Sequence, residues 1–251
     1  MKINSKAVNI CAPIIVIILL IILWQIICTV TNISFHVLPK PGEVGTALVE
    51  NFRGTILLDT MASVKVMLIG YCIAVPLGFV IAAISSQFTL AVRSIMPVLI
   101  ILMLTPMATL VPIFKLFWGV DPTLKILIVV LQCTPVIAVN SLSGFIYVPE
   151  AKKELMRALG CRKWESFFRV TVPNAMPQIF TGLKLGCILC TIAAMSADIS
   201  VGQGGLGYRI QVASSLSATD LAYAAIVVAA ILGVALYMIV SVIESRIVTW
   251  K

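Results

Sequence analysis

The chain alternates between long apolar stretches and short segments that hold most of its charged residues. A helix that crosses the ~30 Å of hydrocarbon in a bilayer takes about 20 residues, and six of the apolar stretches reach that length. Because lipid offers no hydrogen-bond partner to free backbone groups, each stretch is predicted to be an α-helix. The predicted spans occupy residues 11–30, part of 66–92, the segment between 93 and 115, the segment between 125 and 150, residues 177–197, and the segment between 220 and 244.

Composition narrows the class of protein. Of the 251 residues, 61% are apolar and 11% are charged, whereas a soluble domain is nearer half apolar and a quarter charged. So few polar residues cannot cover a water-facing surface, which excludes a secreted domain, a cytosolic enzyme and a nucleic-acid-binding domain. The uncharged run from Ala7 to Phe35 is too long for the core of a signal peptide, and we interpret it as a retained span.

Lysine and arginine indicate which segments face the cytoplasm. With the N-terminus inside, eleven basic residues fall in cytoplasmic segments and five in external loops, which is the bias expected of membrane proteins. We therefore predict that both termini are cytoplasmic. Residues 1–10 are predicted to form a cytoplasmic N-terminus, and residues 11–251 a transmembrane domain. The richest basic segment, residues 149–174, is then a cytoplasmic loop, called here the basic loop.

Several features inside the predicted spans favour bent and closely packed helices. Five prolines each remove a backbone donor and tend to kink a helix, and this pattern suits bent packing and a gating role equally. Gly182 and Gly186 provide a small-residue face for close helix contact. Cys187 and Cys190 have redox spacing but lie in an apolar run, and we interpret them as packing residues. The prolines are Pro76, Pro97, Pro106, Pro112 and Pro135.

The basic loop begins with the pattern of a short helix. Pro149 suits the first helical position and Glu150 favours the positive end of the helix dipole. Gly160 suits the C′ position, where a left-handed residue ends a helix. A second short helix is predicted over residues 162–170. The pair carries both apolar and basic side chains, which is typical of a docking surface, or of helices on the anionic inner leaflet, where each basic residue gains about 1 kcal/mol. The residues alone leave both interpretations open.

The basic loop resembles the coupling motif of bacterial ABC importer permeases, which reads EAA-x3-G-x9-I-x-LP. The matching stretch is Glu154-Leu155-Met156-x3-Gly160-x9-Val170-x-Val172-Pro173. The glutamate, the glycine and the proline match at the family's spacing, and the two valines are conservative replacements. Leu155 and Met156 replace the two alanines of the motif, and Ala158 supplies part of the small surface.

Other stretches resemble the nitrate/sulfonate/taurine-type branch of that family. Residues 38–42, Leu-Pro-Lys-Pro-Gly, are similar to its LP-x-P element. The proline pattern of residues 105–112, followed by Phe-Trp-Gly at 117–119, is similar to its third span. Residues 204–208, Gly-Gly-Leu-Gly-Tyr, are similar to its GLGY element. The matches follow the family's order from about residue 38 to the C-terminus.

The resemblance implies an all-α membrane protein of the type I ABC importer permease fold, with six transmembrane helices, in the cell membrane. It implies a transport subunit rather than an enzyme, which works with a second permease copy, commonly identical, two cytoplasmic ABC ATPases and an extracytoplasmic solute-binding protein. The sequence contains no G-x-x-x-x-G-K-[ST] phosphate cradle. No cofactor is therefore expected on this chain, and ATP and Mg are expected in the partner ATPase. The residues implied in ATPase coupling are Glu154, Leu155, Arg157, Ala158, Leu159, Gly160, Trp164 and Pro173.

Polar and methionine side chains at membrane depth are the candidates for a substrate path, since intramembrane polar groups are costly and often functional. We expect Lys184 to reach the inner interface or an inner cavity, in preference to substrate. The resemblance implies that Gly204, Gly205, Gly207 and Tyr208 lie near an outer gate or the docked binding protein. The path candidates are Met103, Thr105, Gln132, Thr134, Asn140, Met195, Ser196 and Asp198.

The sequence leaves alternatives open for both the substrate and the class of transporter. Small anions such as nitrate, sulfonates and taurine are the first choice, and a thiamine-precursor pyrimidine or another small organic molecule is the alternative. The alternative class is an ion-coupled secondary transporter or channel. Such proteins often contain internal repeats and acidic residues deep in the spans. The sequence shows no clear repeat, and we expect no Asp or Glu deep in a span. A membrane-embedded enzyme needs a cluster of catalytic groups, and the single histidine, His36, argues against one.

Overall fold

The computed structural model describes residues 5–31 and 34–250, with side chains from residue 14 onward. The regular structure of these residues is helical throughout, so the predicted all-α class is confirmed. Two π-helical turns, Phe52–Ile56 and Phe167–Thr171, join neighbouring helices without a break. The helices are α1 (Ser5–Val30), α2 (Pro41–Asn51), α3 (Leu57–Ser85), α4 (Thr89–Leu104), α5 (Met107–Trp118), α6 (Pro122–Ile146), α7 (Glu150–Ala158), α8 (Lys163–Ser166), α9 (Val172–Val201), α10 (Leu206–Ser215) and α11 (Thr219–Ile247).

Helices lie at all six predicted spans, but they differ in length and continuity. Among the described residues, four helical segments are long and apolar enough to cross a membrane: Pro41–Ser85, Pro122–Ile146, Lys163–Val201 and Thr219–Ile247. The pair α4 and α5 adds a fifth if the two count as one span. The described apolar part of α1, Ile14–Val30, is shorter. The cytoplasmic placement of both termini stays a prediction.

The third predicted span is broken where the sequence analysis expected one kinked helix. The axes of α4 and α5 meet at 91°. Pro106 has no N–H to continue the helix, and a proline disfavours the helical region for the residue before it. Thr105 accordingly adopts extended backbone angles, φ −72° and ψ 119°. Its N–H still bonds to the carbonyl of Ile101, so α4 ends with its last amide satisfied.

The fifth predicted span begins much earlier than residue 177. Helical structure runs without a gap from Lys163 to Val201, because α8 continues through the π-helical turn into α9. Pro173 comes directly after the π-helical turn, and Pro177 is accommodated inside the helix. Residues 163–174 of the basic loop and the fifth span therefore form one continuous helical rod.

The core of the protein forms around α6, which packs between α3 and α9. A Cβ added at Gly182 would lie 2.7 Å from the Cβ of Asn140, so the close contact predicted for this face of α9 is confirmed. Cys187 and Cys190 on the same helix are fully buried in the core. Many apolar side chains of α1, α4 and α11 are exposed, as expected for surfaces that face lipid or another subunit.

Candidate functional site

The short helix α7 presents an apolar stripe to its surroundings. Leu155 and Leu159 are four residues apart, which places them on one face, and they are 60% and 67% exposed. Glu154 and Ala158 beside them are also exposed. Met156, the residue after Leu155, is half-buried. An unpartnered apolar stripe on a charged helix is suited to docking in a groove of another protein.

The end of α7 is fixed by a Schellman turn at Gly160. The N–H of Gly160 donates to the carbonyl of Arg157, and the N–H of Cys161 to that of Met156. Gly160 has φ +68°, the left-handed conformation that glycine adopts without strain. The predicted C′ position is confirmed. Pro149 lies one residue outside the predicted place, as the N-cap rather than the first helical residue.

The charged side chains of α7 pair through its first acidic residue. Glu150 contacts both Lys153 and Arg157, at 3.4 Å each. These pairs span one and two helical turns, so they stiffen the face of α7 that carries the basic residues. Glu154 is left on the exposed side, next to the apolar stripe. Lys152 secures α7 to the start of α9 by donating to Oδ1 of Asn174 at 2.6 Å.

A chain of aromatic rings, called here the aromatic chain, connects the basic loop to the core. Trp164 is 68% exposed and contacts Phe168 at 4.9 Å and Phe167 at 6.1 Å between ring centroids. Phe167 is buried and contacts Phe145 of α6 at 5.1 Å. Phe145 in turn contacts Phe79 of α3 at 5.6 Å. Three successive ring contacts thus connect Trp164 to α6 and α3, and close-packed interiors of this kind transmit strain.

At the other end of α6, charged side chains form what we call the loop-anchoring cluster (Asp59, Ser63, Lys125, Asp198 and Arg209). Lys125 and Asp198 are both almost fully buried, and their ion pair measures 2.8 Å. Ser63 donates to the second carboxylate oxygen of Asp198 at 2.5 Å. Arg209 pairs with Asp59 at 2.7 Å. The sequence analysis expected Asp198 at the end of a span beside the path, whereas the structure buries it inside four packed helices.

The glycine-rich segment after α9 is held by this cluster. Lys125 donates to the carbonyls of Gln203 and Gly204 at 2.9 and 2.7 Å, and Asp59 accepts from the N–H of Gly205 at 3.1 Å. Gly205 has φ +98°, and a Cβ there would lie 2.2 Å from Oδ2 of Asp198. Only glycine fits this position, because both the backbone angle and the space exclude a side chain.

Gly207 and Tyr208, the other residues implied near an outer gate, lie at the start of α10. Gly207 is buried in the first turn of α10, where a Cβ would meet the carbonyl of Met195 at 2.3 Å. Tyr208 is half-buried. The hydrogen bonds and close contacts hold this segment in one conformation.

The substrate-path candidates do not form one pocket. Asp198 contacts the start of α6, whereas Asn140 meets Gly182 on α9, and 16 helical residues between positions 182 and 198 correspond to about 24 Å. Asn140 donates to its own helix, at the carbonyl of Val136. The hydroxyl of Thr134 is buried and has no hydrogen-bond partner in the described part of the chain. The other candidates, Met103, Thr105, Gln132, Met195 and Ser196, are half-buried at separate positions along α4, α6 and α9.

Lys184 has a partner that the sequence analysis missed. Its ammonium pairs with Glu244 of α11, and it also lies 5.9 Å from the ring centre of Tyr237. Glu244 is buried, as are Asp59 and Asp198. The three lie at or beyond the ends of the predicted spans, so the expectation of no acidic residue deep in a span stays a prediction. Each of the three is neutralised by a basic residue from another helix, which is how buried carboxylates are tolerated. Lys125 stands in an apolar run of the sequence, and this is the signal from which a buried ion pair could have been predicted.

The family of proteins described as the inner membrane component of binding-protein-dependent transport systems matches residues 74–249. The match takes in α6, the basic loop, α9 and most of the loop-anchoring cluster. The chain belongs to this family. It is a multi-pass transport component of the cell membrane, and the resemblance drawn from the basic loop is confirmed.

Curated relatives and solved structures agree with this assignment. The chain is 24% identical to the riboflavin transport system permease protein RibX of Chloroflexus aurantiacus, over 93% of this chain and 87% of that protein. It is 25% identical to the taurine transport system permease protein TauC of Escherichia coli, over 92% and 86%. It is 23% identical to the formylaminopyrimidine transport permease protein ThiX of Halalkalibacterium halodurans, over 95% of each.

The fold matches that of solved ABC transporters. An amino acid ABC transporter crystallised with histidines gives a TM-score of 0.61 at 17% identity, over 79% of this chain and 96% of that one. The inward-facing MetNI methionine transporter gives 0.58 at 17% identity, over 78% and 95%. The predicted ABC importer permease fold is therefore confirmed.

Proposed function

We propose that this chain is the permease subunit of an ATP-driven importer, which moves a small solute from an extracytoplasmic binding protein into the cytoplasm by alternating access. Two permease copies line one path, two cytoplasmic ABC ATPases bind ATP and Mg, and each ATPase holds one α7. The observation that carries the proposal is the basic loop, where an exposed apolar stripe is joined rigidly to the core. Family membership argues against the alternative of an ion-coupled carrier or channel.

The mechanical step runs through two connections described above. The first is the continuous rod from Lys163 to Val201, which turns any tilt of the loop into a tilt of α9. The second is the aromatic chain, which carries the same displacement to α6 and α3. ATPase closure would move both loops together and open or close the path between the two permeases. The path candidates other than the buried Asp198 lie at separate positions along α4, α6 and α9, so they suit a translocation route rather than one binding pocket.

For the substrate, a sulfonate-like, nitrate-like or taurine-like anion is the first choice, and a pyrimidine or another small organic molecule is the alternative. The relatives named above are described as permeases for riboflavin, taurine and a pyrimidine. They therefore support a transport role for this chain but do not favour one of these solutes over the others. In the loop-anchoring cluster, Lys125 and Arg209 are each paired with a carboxylate. Because their charges are already neutralised, they would not attract an anion, and selectivity for one would rest on the binding protein. Binding of sulfonates, nitrate, pyrimidines and riboflavin to that partner protein tests the choice.

The coupling role is tested at Gly160. A Cβ there meets no atom within 4 Å, so the cost of a substitution comes from the backbone angle alone. Valine in a left-handed conformation costs roughly 1–2 kcal/mol, whereas asparagine tolerates it. We expect Gly160→Val to insert normally but to lose substrate-stimulated ATPase activity and uptake in proteoliposomes with the partner subunits. Gly160→Asn is the matched control and should retain both.

Glu154→Lys provides an independent test beside the apolar stripe. It reverses an exposed charge without removing any packing, so we expect normal insertion and assembly of the permease with weakened ATPase docking and loss of uptake. Pull-down of the ATPases by the permease measures docking directly. Wild-type docking, stimulation and uptake in both Gly160→Val and Glu154→Lys would refute the coupling role.

A further inference from the structure

A cavity of about 280 Å³ lies behind α7, between the basic loop and the turn that joins α3 to α4. Three basic residues line it, Lys153 and Arg157 from α7 and Lys163 from α8. Lys153 and Arg157 lie on the side of α7 opposite its apolar stripe, and Arg157 is the one residue that the cavity lining shares with the residues implied in ATPase coupling. Liquid water takes about 30 Å³ per molecule, so a polyatomic group of several heavy atoms fits inside.

The charges around this cavity are not balanced within the described residues. Lys153 and Arg157 share a single carboxylate, that of Glu150, at 3.4 Å each. Lys163 forms no ion pair within 4 Å among the residues that the structure describes. Three positive charges and one negative charge leave a net charge of +2 at the cavity wall. Such a concentration of one sign favours an anion.

Neutral groups complete the lining on the membrane side. Ser86 and Gln87 come from the α3–α4 turn, and Ser166 from α8. The Gln87 amide donates to the carbonyl of Ala83 at 3.3 Å and to the Ser86 hydroxyl at 3.2 Å. The Ser86 hydroxyl donates to the carbonyl of Ala83 at 2.8 Å, so the hydroxyl of Ser166 is the neutral donor at the wall that these bonds leave available. Cationic and hydroxyl donors that converge on one space are the set that binds phosphate oxygens.

The cavity lies beyond the ends of two apolar helices, where lipid headgroups are expected. The apolar helices α3 and α6 end at Ser85 and Ile146, and the cavity begins directly beyond those ends. Its inner wall is formed by the buried rings of Phe145 and Phe167. Basic side chains at this depth attract the anionic lipids of the inner leaflet.

We propose that this cavity binds a phosphate group, carried by an anionic phospholipid headgroup. The bound phosphate would bridge α7 and α8 to the α3–α4 turn and hold the basic loop against the membrane helices. The binding itself follows from the cavity and its charges alone. Its effect on ATP-driven motion rests on the proposed function of the basic loop.

The test uses the full chain in nanodiscs of phosphatidylglycerol or phosphatidylcholine. Native mass spectrometry counts the phosphatidylglycerol molecules that the protein retains. Each lysine that contacts an anionic headgroup contributes roughly fivefold in affinity, so Lys153→Gln with Lys163→Gln should weaken retention roughly thirtyfold. Lys152→Gln is the matched control, because Lys152 lies on the same helix but bonds to Asn174 and lines a different cavity. It should retain the lipid.

A local readout is provided by Cys161, whose half-buried side chain lines the cavity. Phosphatidylglycerol should slow alkylation of Cys161 by a maleimide, measured on the isolated peptide, and the double variant should abolish this protection. Inorganic phosphate is titrated into phosphatidylcholine discs as a separate arm. Equal retention by wild type and the double variant would overturn the proposal, and so would protection of Cys161 by inorganic phosphate but not by phosphatidylglycerol. Because no ATPase is present, a negative result leaves the coupling role untouched.

Discussion

Replacement of Lys125 by methionine probes how the loop-anchoring cluster stabilises the protein. The ammonium of Lys125 donates to Asp198 and to the carbonyls of Gln203 and Gly204, at 2.7–2.9 Å. Methionine keeps the apolar stem at about the same length but removes every donor. The carboxylate of Asp198, with a side chain 1% exposed, then retains the hydroxyl of Ser63 as its partner among these groups.

The size of the effect follows from that burial. Breaking a buried ion pair by removing one partner costs roughly 3–5 kcal/mol, because the other charge stays out of water without compensation. In a chain of this length, 1 kcal/mol changes Tm by roughly 2–4 °C. We therefore expect the Tm of Lys125→Met, followed by thermal unfolding of the purified protein in one detergent, to fall by about 10 °C.

Two further variants separate the unpaired charge from other causes. Adding Asp198→Asn to Lys125→Met removes the buried charge and should regain about half of the lost Tm. Lys115→Met is the control, because Lys115 is half-buried nearby but donates to the carbonyl of Ser200 rather than to a carboxylate. Its Tm should fall by only about 3 °C. Equal losses in Lys125→Met and Lys115→Met, or no recovery in the double variant, would refute the reasoning.

Three other substitutions give measurable outcomes. Gly205→Ala places a Cβ 2.2 Å from a buried carboxylate oxygen, so we expect little folded protein by size-exclusion chromatography; a normal yield would contradict the close contact. Lys184→Met leaves the buried carboxylate of Glu244 without this basic partner, so Tm should fall by several degrees and recover in part when Glu244→Gln is added. Asp121 caps the start of α6, and hydrogen bonds from the hydroxyl and N–H of Thr123 lower its pKa. The ionised cap therefore stabilises α6 at pH values above the ordinary pKa of a carboxyl group, and this stabilisation is lost as the pH falls through the lowered pKa. Asp121→Asn accepts the same bond at every pH, and its Tm should therefore fall less than that of wild type between about pH 6 and about pH 3.

The basic loop shows where local sequence is sufficient. The turn at Gly160 depends on hydrogen bonds between residues at most five positions apart, and the signal for it, a glycine after a short amphipathic run, lies in the same residues. The break at Pro106 shows the opposite case. A proline predicts a kink, but the 91° angle depends on what α4 and α5 pack against. The same residue type is absorbed inside α9 at Pro177, where the helix continues.

The amino-acid sequence by itself determined that the chain is helical, that it belongs in a membrane and in what order its helices follow, because apolar length and charge are properties of each segment alone. It also carried the pattern that resembles the family's coupling motif, since that pattern is local. Only the tertiary structure decided which charges neutralise each other. Lys125 and Asp198 are 73 positions apart, and they meet because the crossing of α6 and α9 brings them to one buried point. The crossing depends on the shapes of many side chains at once, so the pairing cannot be deduced from either segment.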